Sequence, residues 1–405
     1  MTLVRVKSVV QNVVEKADGT LAPFIGLEHL QSGTAKLTVD ELPLKAAEDS
    51  LRHRPGDVLF SKLRPYLAKS FLPKKPGTAT GELLVLRPTV TVIPDYLLYT
   101  TLSSPWVEWA NTSAYGTKMP RTSWELVGDY RMWLPSLGEQ RRIADFLDAE
   151  TARIDRTEEL LRELIGKLVE RENAIRDELF DKISAEHGEL PFRRFITRIE
   201  QGQSPQCDAT TRQSPDEWAV LKLSSVKRGN FDPNEHKRLP EHVSRKGMLE
   251  VARGDFLVTR ANTPNLVGDV AVVRESADRL LLPDLIYRVS LTEEASPDFL
   301  AQVALSRRVR SYVESVARGS SQSMVKLRGE DIKSWPVPNA TSSQQSAAIR
   351  TIEQSKLIST RLRQLMLRQG ELLAERRQAL ITAAVTGQFD VSAADGHSLN
   401  SGVSV

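Results

Sequence analysis

A seam of apolar residues at intervals of seven, written twice, constrains this chain more than any other feature. Leu147, Ile154, Leu161, Leu168 and Ile175 stand one heptad apart, and Leu164, Ile165 and Leu179 widen the stripe. No proline interrupts Glu139 to Ser184. That spacing predicts a long coiled-coil helix. An offset of about 205 residues carries the five positions onto Ile352, Ser359, Met366, Leu373 and Leu380, all but one apolar. The same offset matches Leu168-Val169-Glu170-Arg171 with Leu373-Ala374-Glu375-Arg376, and Ala174-Ile175 with Ala379-Leu380. It also matches Glu139-Gln140 with Gln344-Gln345, and Met119 with Met324. The two helices are copies of one another.

A helix of about 45 residues is about 65–70 Å long, and a small domain at its end cannot bury so narrow a seam. A partner helix is needed. The link Asp181 to Pro191 is short, which predicts a second domain at the far end of the first helix and a second helix running back. The pair is therefore expected to be antiparallel, with a pseudo-twofold axis. Its pairing residues are Leu147, Ile154, Leu161, Leu168, Ile175, Ile352, Met366, Leu373 and Leu380. Charge favours pairing within one chain: about −4 over 139–180 against about +4 over 344–385.

Each helix follows a domain of mixed texture. At an offset of about 198, Gly56-Asp57-Val58-Leu59-Phe60 matches Gly254-Asp255-Phe256-Leu257-Val258. Ile25-Gly26-Leu27 followed by Leu30 likewise resembles Leu221-Lys222-Leu223 followed by Val226. Short β-rich runs such as 58–60, 83–86, 256–259 and 270–273 are punctuated by glycine and proline, which suits strands and turns. Both domains close on Trp-Pro punctuation, Trp133-Leu134-Pro135 and Trp335-Pro336-Val337-Pro338, where proline ends one element and sets up the next helix. The expected fold class is α+β: two mixed α/β domains separated by a long antiparallel two-helix coiled coil, with internal pseudo-twofold symmetry. The expected boundaries are 1–135 for the first domain, 136–185 for the first helix, 186–338 for the second domain and 339–390 for the second helix. Small polar residues over 391–405 predict a disordered tail.

Composition excludes several classes. A single cysteine, Cys207, rules out an intrachain disulfide, and the stretch Met1 to Val10 has no apolar run long enough for a signal peptide. No window approaches the roughly 18 apolar residues of a membrane span, so a cytoplasmic chain without a membrane partner is expected. A net charge of +3 is too small for a nucleic-acid coat, so any DNA contact must come from local clusters. The chain has no Pro-Pro, hence no Asn-Pro-Pro-Tyr-like or Asp-Pro-Pro-Tyr-like tetrapeptide, and neither a glycine-rich S-adenosylmethionine loop nor a Walker A signature. Six scattered histidines offer no metal-ligand spacing, and His236 and His242 read as surface residues. One nuclease-like pattern remains: Asp216 after Pro215, with Glu235-His236-Lys237 downstream, could hold Mg²⁺ and activate water. It has no counterpart in the first half.

A domain, a long helix opened by Leu134-Pro135-Ser136-Leu137-Gly138-Glu139-Gln140-Arg141-Arg142-Ile143, a second domain and a second such helix resemble the specificity subunit of type I restriction-modification systems. Glu375-Arg376-Arg377-Gln378-Ala379-Leu380-Ile381-Thr382-Ala383-Ala384-Val385-Thr386-Gly387-Gln388 looks like the end of that family's second repeated region. The resemblance covers nearly the whole chain. One departure is Gln344-Gln345-Ser346-Ala347-Ala348-Ile349, which lacks the acidic and basic residues of the first copy. The resemblance implies two target recognition domains, each reading one half of an interrupted double-stranded DNA site, and helices that fix the gap. It further implies that the chain is not catalytic and holds no cofactor. Two methyltransferase subunits carrying S-adenosylmethionine would dock on the helices, and motor-nuclease subunits using ATP and Mg²⁺ can join.

The candidate DNA contacts are corresponding loops with long polar donors. In the first half they are Lys62 and Arg64, after the Gly56-Asp57 strand, and Tyr115, Lys118 and Arg121 in the loop Tyr115-Gly116-Thr117-Lys118-Met119-Pro120-Arg121. Their counterparts are Arg260 and Asn262, with Arg318, Gln322 and Lys326 in Arg318-Gly319-Ser320-Ser321-Gln322-Ser323-Met324-Val325-Lys326. Arginine and asparagine form the bidentate contacts that distinguish guanine and adenine, and glycine lets backbone approach phosphate. A rival reading is an interaction scaffold whose end domains bind proteins, since coiled coils are generic spacers.

Overall fold

The computed structural model describes residues 2–46, 49–116, 118–207, 210–275, 278–321 and 324–391. The stretch 392–405, most of the expected tail, lies outside them. The chain divides into two units, Met1–Glu163 with Met366–Val405, and Leu164–Leu365.

The two four-stranded sheets of the first unit are built from β1 (Val10–Asn12), β2 (Ala22–Ile25), β3 (Leu44–Lys45), β4 (Leu51–His53), β5 (Val58–Ser61), β6 (Ser70–Phe71), β7 (Gly77–Ala79) and β8 (Leu83–Pro88). A central antiparallel sheet has the order β1-β8-β5-β6, and a second sheet has the order β3-β2-β7-β4 with β2 and β7 parallel. All four residues of β5 are buried, because its two faces meet two cores. Val58 and Phe60 face the core shared with helices α1 (Pro94–Leu102) and α2 (Ser104–Thr112), where Tyr96 and Trp106 are fully buried. Leu59 faces the other core, with Ile25, Leu83 and Val85. A strand covered on both sides reads as a continuous apolar run, which is why no alternation marks it in the sequence.

The second unit repeats this build with β9 (Ile196–Gln201), β10 (Ala219–Leu221), β11 (His236–Arg238), β12 (Phe256–Thr259), β13 (Ala261–Asn262), β14 (Val270–Val272), β15 (Leu280–Leu281), β16 (Ile286–Leu291), β17 (Arg318–Ser321) and β18 (Met324–Lys326). Its central sheet is β9-β16-β12-β14, and its second sheet β11-β10-β15 again holds one parallel pair, β10 with β15. Phe256 and Val258 of β12 face one core and Leu257 the other, as in β5. The repeated Gly-Asp has a shared cause. Gly56 and Gly254 take φ of 91° and 95°, which a side chain would strain, and the following aspartate closes the turn. Asp57 accepts from the Arg54 N–H at 3.0 Å, and Asp255 from the Ala252 N–H at 2.9 Å. Asp57 is also gripped by Arg87 of β8 at 2.7 and 2.8 Å.

The long helices are α3 (Leu137–His187) and, after α4 (Pro297–Ala304) and α5 (Arg307–Val316), α6 (Ser342–Val385). Within each unit they pair antiparallel. In the first, Arg377 of α6, almost fully buried, bonds Asp155 of α3 at 2.6 Å, and Leu147, Ile154 and Leu373 are buried. In the second, Arg363 bonds Glu172 at 3.0 Å and Gln344 bonds His187 at 2.7 Å, so numbering rises on one helix as it falls on the other. Ile352 is buried, while Leu161, Leu168, Ile175, Met366 and Leu380 are half-buried. The cross-helix pairs are Glu and Asp of α3 with Arg of α6, the sense that the opposite charges of the two copies require. The apolar seam fails at Ser359, which is buried. Ser359 lies one turn from Arg363 on α6, as Arg176, its side chain largely covered, lies one turn from Glu172 on α3.

The repeated glutamine explains how each helix is locked to its domain. Gln140 is fully buried; its carboxamide accepts from the Ile93 N–H at 2.8 Å and donates to Thr91 and Pro135 carbonyls at 2.9 and 3.0 Å. Gln345 accepts from the Ser296 N–H at 3.1 Å and donates to the Ala340 carbonyl at 3.0 Å. Ile93 and Ser296 begin α1 and α4, so the same side chain ties the start of a long helix to the start of a domain helix in both units. Glu139 of the sequence match is replaced by Gln344 without touching this lock.

His53 of β4 gives the first unit an acid-sensitive point. Burial pushes its ring down to about 4, against the opposing pull of the Asp57 carboxylate and the Thr78 backbone. The unfolded histidine takes a proton below 6.5 and the folded one only near 4, so stability is full above that window and falls as pH drops through it. Urea denaturation is expected to show about 2 kcal/mol less stability near pH 5 than near pH 7 from this residue. His53→Gln should flatten that slope; an unchanged slope would place the acid sensitivity elsewhere.

Candidate functional site

The two loops singled out in each half come together as a small ribbon at the end of the central strand. In the first unit Lys62 continues β5: its N–H donates to the Glu82 carbonyl at 2.9 Å, and its carbonyl accepts from the Thr122 N–H at 3.0 Å. Leu63 then bridges Arg121, and the Arg64 N–H donates to the Pro120 carbonyl at 2.7 Å. Tyr115 and Arg121 exchange both backbone bonds, at 3.1 and 2.9 Å. In the second unit the Arg260 N–H donates to the Leu285 carbonyl and its carbonyl accepts from the Leu327 N–H, both at 2.8 Å. Ala261 and Asn262 of β13 then pair with Lys326 and Val325 of β18, and Arg318 of β17 pairs with Lys326. Three short extended segments lie side by side in each unit, in the same order and with the same bonds at their root.

The backbone frame is common, but the outward chemistry differs. Arg64, Tyr115, Lys118 and Arg121 are exposed in the first ribbon and Lys62 is half-buried. Arg121 is held by Glu82 at 2.8 Å. Gly116 has φ of 94°, which allows the loop to turn back toward Pro120. In the second ribbon Arg318 and Lys326 are exposed. Arg260 is half-buried and donates to the Tyr287 hydroxyl at 3.1 Å, while the Asn262 carboxamide oxygen accepts from the Thr263 N–H at 2.8 Å. Gln322 lies outside the described residues, as does Thr117 of the first loop.

Sequence reasoning missed the support beneath the second ribbon. Arg310 of α5 donates to the Val267 and Asn265 carbonyls at 2.7 and 3.2 Å, which fixes the loop that follows β13. Asp269 closes the same loop by accepting from the Arg228 N–H at 3.0 Å. Burial lowers the Arg310 guanidinium and raises the Asp269 carboxyl from their ordinary values, the mark of charges drawn inside to hold backbone in place. Nothing in the sequence links an arginine in a basic helix to a loop some forty residues earlier.

The nuclease-like pattern does not form a metal cradle. Asp216 lies against Arg279 at 3.5 Å, whereas Glu235 accepts from the Ser224 hydroxyl and faces Lys222 at 3.7 Å. Lys237 sits in β11 opposite Val220. Among the described residues no group of three or more histidine, cysteine, aspartate or glutamate side chains is set to hold a metal ion. His242 is exposed, but His236 is buried, contrary to its reading as a surface residue. Its Nε2 accepts from the Arg212 N–H at 3.2 Å and its Nδ1 meets the Pro233 carbonyl at 2.8 Å, so it serves as a satisfied internal brace. No helix among the described residues is long and apolar enough to cross a membrane.

Comparison with known proteins places this architecture. No family model matches the chain. It is 30% identical over 160 residues to the specificity subunit of the type I restriction enzyme EcoEI of Escherichia coli, an alignment covering 39% of this chain and 27% of that protein. It is 25% identical over 358 residues to the specificity subunit of the type I restriction enzyme EcoKI of Escherichia coli K12, covering 82% of this chain and 75% of that one. These alignments thus span about a quarter of the first relative and three quarters of the second. Among solved structures, a chain from a study of complex assembly and conformational transition of the type I R-M system matches with a TM-score of 0.65 at 16% identity, over 96% of this chain and 98% of that one. That match carries the fold, and the sequence alignments and twice-used helix motif carry the resemblance. By sequence the chain is similar to specificity subunits of type I restriction enzymes.

Proposed function

We propose that this chain recognises DNA sequence for a type I restriction-modification complex, each unit reading one half of a bipartite, asymmetric site, and that it carries out no chemistry itself. The observation that carries this reading is the ribbon used twice, with the same backbone bonds and unlike exposed side chains. Two copies of one frame with different donors suit two different half-sites of double-stranded DNA. The small net charge leaves few phosphate contacts, so the ribbon must supply both grip and discrimination.

In this reading the long helices fix the gap between half-sites and dock two methyltransferase subunits, and motor-nuclease subunits can join the complex. S-adenosylmethionine then belongs to the methyltransferase, and ATP and Mg²⁺ to the motor-nuclease, in the cytoplasm. Support for docking comes from the α6 segment of the second unit, where Ile358 and Leu365 are each 61% exposed and Leu362 is 38% exposed. Spaced by four and three, they form one apolar face that water does not favour.

Methylome sequencing of a host with and without this chain is expected to show a methylated bipartite motif that disappears on deletion; an unchanged methylome would sink the reading. Arg260→Ala is expected to weaken binding to that motif by about 1–3 kcal/mol in a gel-shift titration, with little loss on random duplex. Equal loss on both would make Arg260 a phosphate contact. Ile358→Glu with Leu362→Glu is expected to abolish co-purification of the methyltransferase while leaving the melting curve in place, and intact co-purification would move the docking face elsewhere.

A further inference from the structure

Resting on the DNA-reading role proposed above, we infer that Arg64 is the residue by which the first unit selects a guanine, and that a strained turn is what aims it. Arg64 has φ 51° and ψ 60°, the left-handed region that side chains other than asparagine and aspartate rarely adopt. Pro65 follows it, and proline steers its predecessor toward extended backbone instead. At the other end of the same short turn, Pro65–Leu67, Ala68 has φ 47°. Two non-glycine residues therefore hold left-handed backbone around one turn.

The surroundings enforce this conformation. The Arg64 N–H donates to the Pro120 carbonyl at 2.7 Å, its carbonyl accepts from Leu67 at 2.9 Å, and the Ala68 carbonyl accepts from Gly33 at 3.1 Å. Pro65 and Ala68 are buried, which anchors the turn from below. Glycine would adopt these angles without strain, so the structure bears a cost in order to present a side chain at position 64. That side chain is exposed and makes no hydrogen bond or ion pair among the described residues. The other arginine of the ribbon, Arg121, is tied to Glu82. A free guanidinium at the ribbon's lip offers two parallel donors, the pattern that matches O6 and N7 of guanine in the major groove. At the equivalent place the second unit has Asn262, without a left-handed backbone, whose carboxamide suits adenine. The two units thus differ in the base each selects.

The test uses the full chain with its methyltransferase partner, comparing Arg64→Ala, Arg64→Gly and Arg64→Lys with wild type. Binding is titrated on the methylated motif found for wild type, on duplexes with each base substituted in turn, and on random duplex. Wild type is expected to discriminate against replacement of one guanine, in one half-site, by at least about tenfold. All three variants should lose that discrimination and keep the preferences of the other half-site. Arg64→Gly alone sheds the strain, so it should melt above Arg64→Ala by about 2 °C or more. Retained guanine discrimination in Arg64→Ala overturns the assignment, and loss shared equally with random duplex converts Arg64 to a phosphate contact and overturns it too. Melting of the glycine variant at or below the alanine variant overturns the strained turn. A wild-type complex with no sequence preference removes the DNA-reading role itself, an outcome distinct from the other three.

Discussion

A long helix with one narrow apolar seam cannot stand alone in water, and most of this structure follows from how that seam is covered. The 51 residues of α3 present apolar side chains every seven positions, enough to bind a partner helix and too few to be buried by a domain. The partner is a second copy of the same element, and the antiparallel sense within each unit sets acidic residues of α3 against arginines of α6. Arg377 is the clearest case: nearly buried, it is stabilised only because Asp155 and Glu158 face it. Removal of either partner would leave a charge inside the seam, which is why sign as well as shape decides the pairing.

The helices are joined to the domains by one device used twice. Gln140 satisfies three backbone groups and Gln345 two at the junction between a long helix and a domain helix. A buried carboxamide with its bonds filled fixes direction better than an apolar contact would, because it has one good orientation. From the junctions the order runs outward: the central strand is covered on both faces, its Gly-Asp turn is locked, and the ribbon extends beyond its far end. The candidate surface is thus the last layer, carried by rigid elements and supported from beneath by residues such as the half-buried Arg310.

This layering explains which parts of the site were legible. The positions Lys62 and Arg64, Arg260 and Asn262 were found because they follow a strand whose Gly-Asp start is repeated. The loops containing Lys118 and Lys326 were found because Met119 and Met324 repeat. Their meeting in one ribbon was not visible, since the bonds that unite Lys62 with Thr122 or Arg260 with Leu327 span sixty residues or more. Burial of His236 was likewise hidden: a histidine amid polar neighbours reads as exposed until Arg212 and Pro233 are folded onto its two nitrogens. The restraint on Arg121 also depends on one distant carboxylate, Glu82, set in the turn before β8.

The sequence by itself determined the repeat, the helix pair and its sense, and the two-domain plan, because period, copy number and net charge are properties of the chain read in order. Only the tertiary structure decided which polar side chains are tied and which are free, that Ser359 is buried within the seam, and which backbone is held left-handed at Arg64. Those outcomes depend on hydrogen bonds and burial between residues far apart in sequence. No local pattern encodes them, since the same arginine is tied beside a carboxylate and free without one.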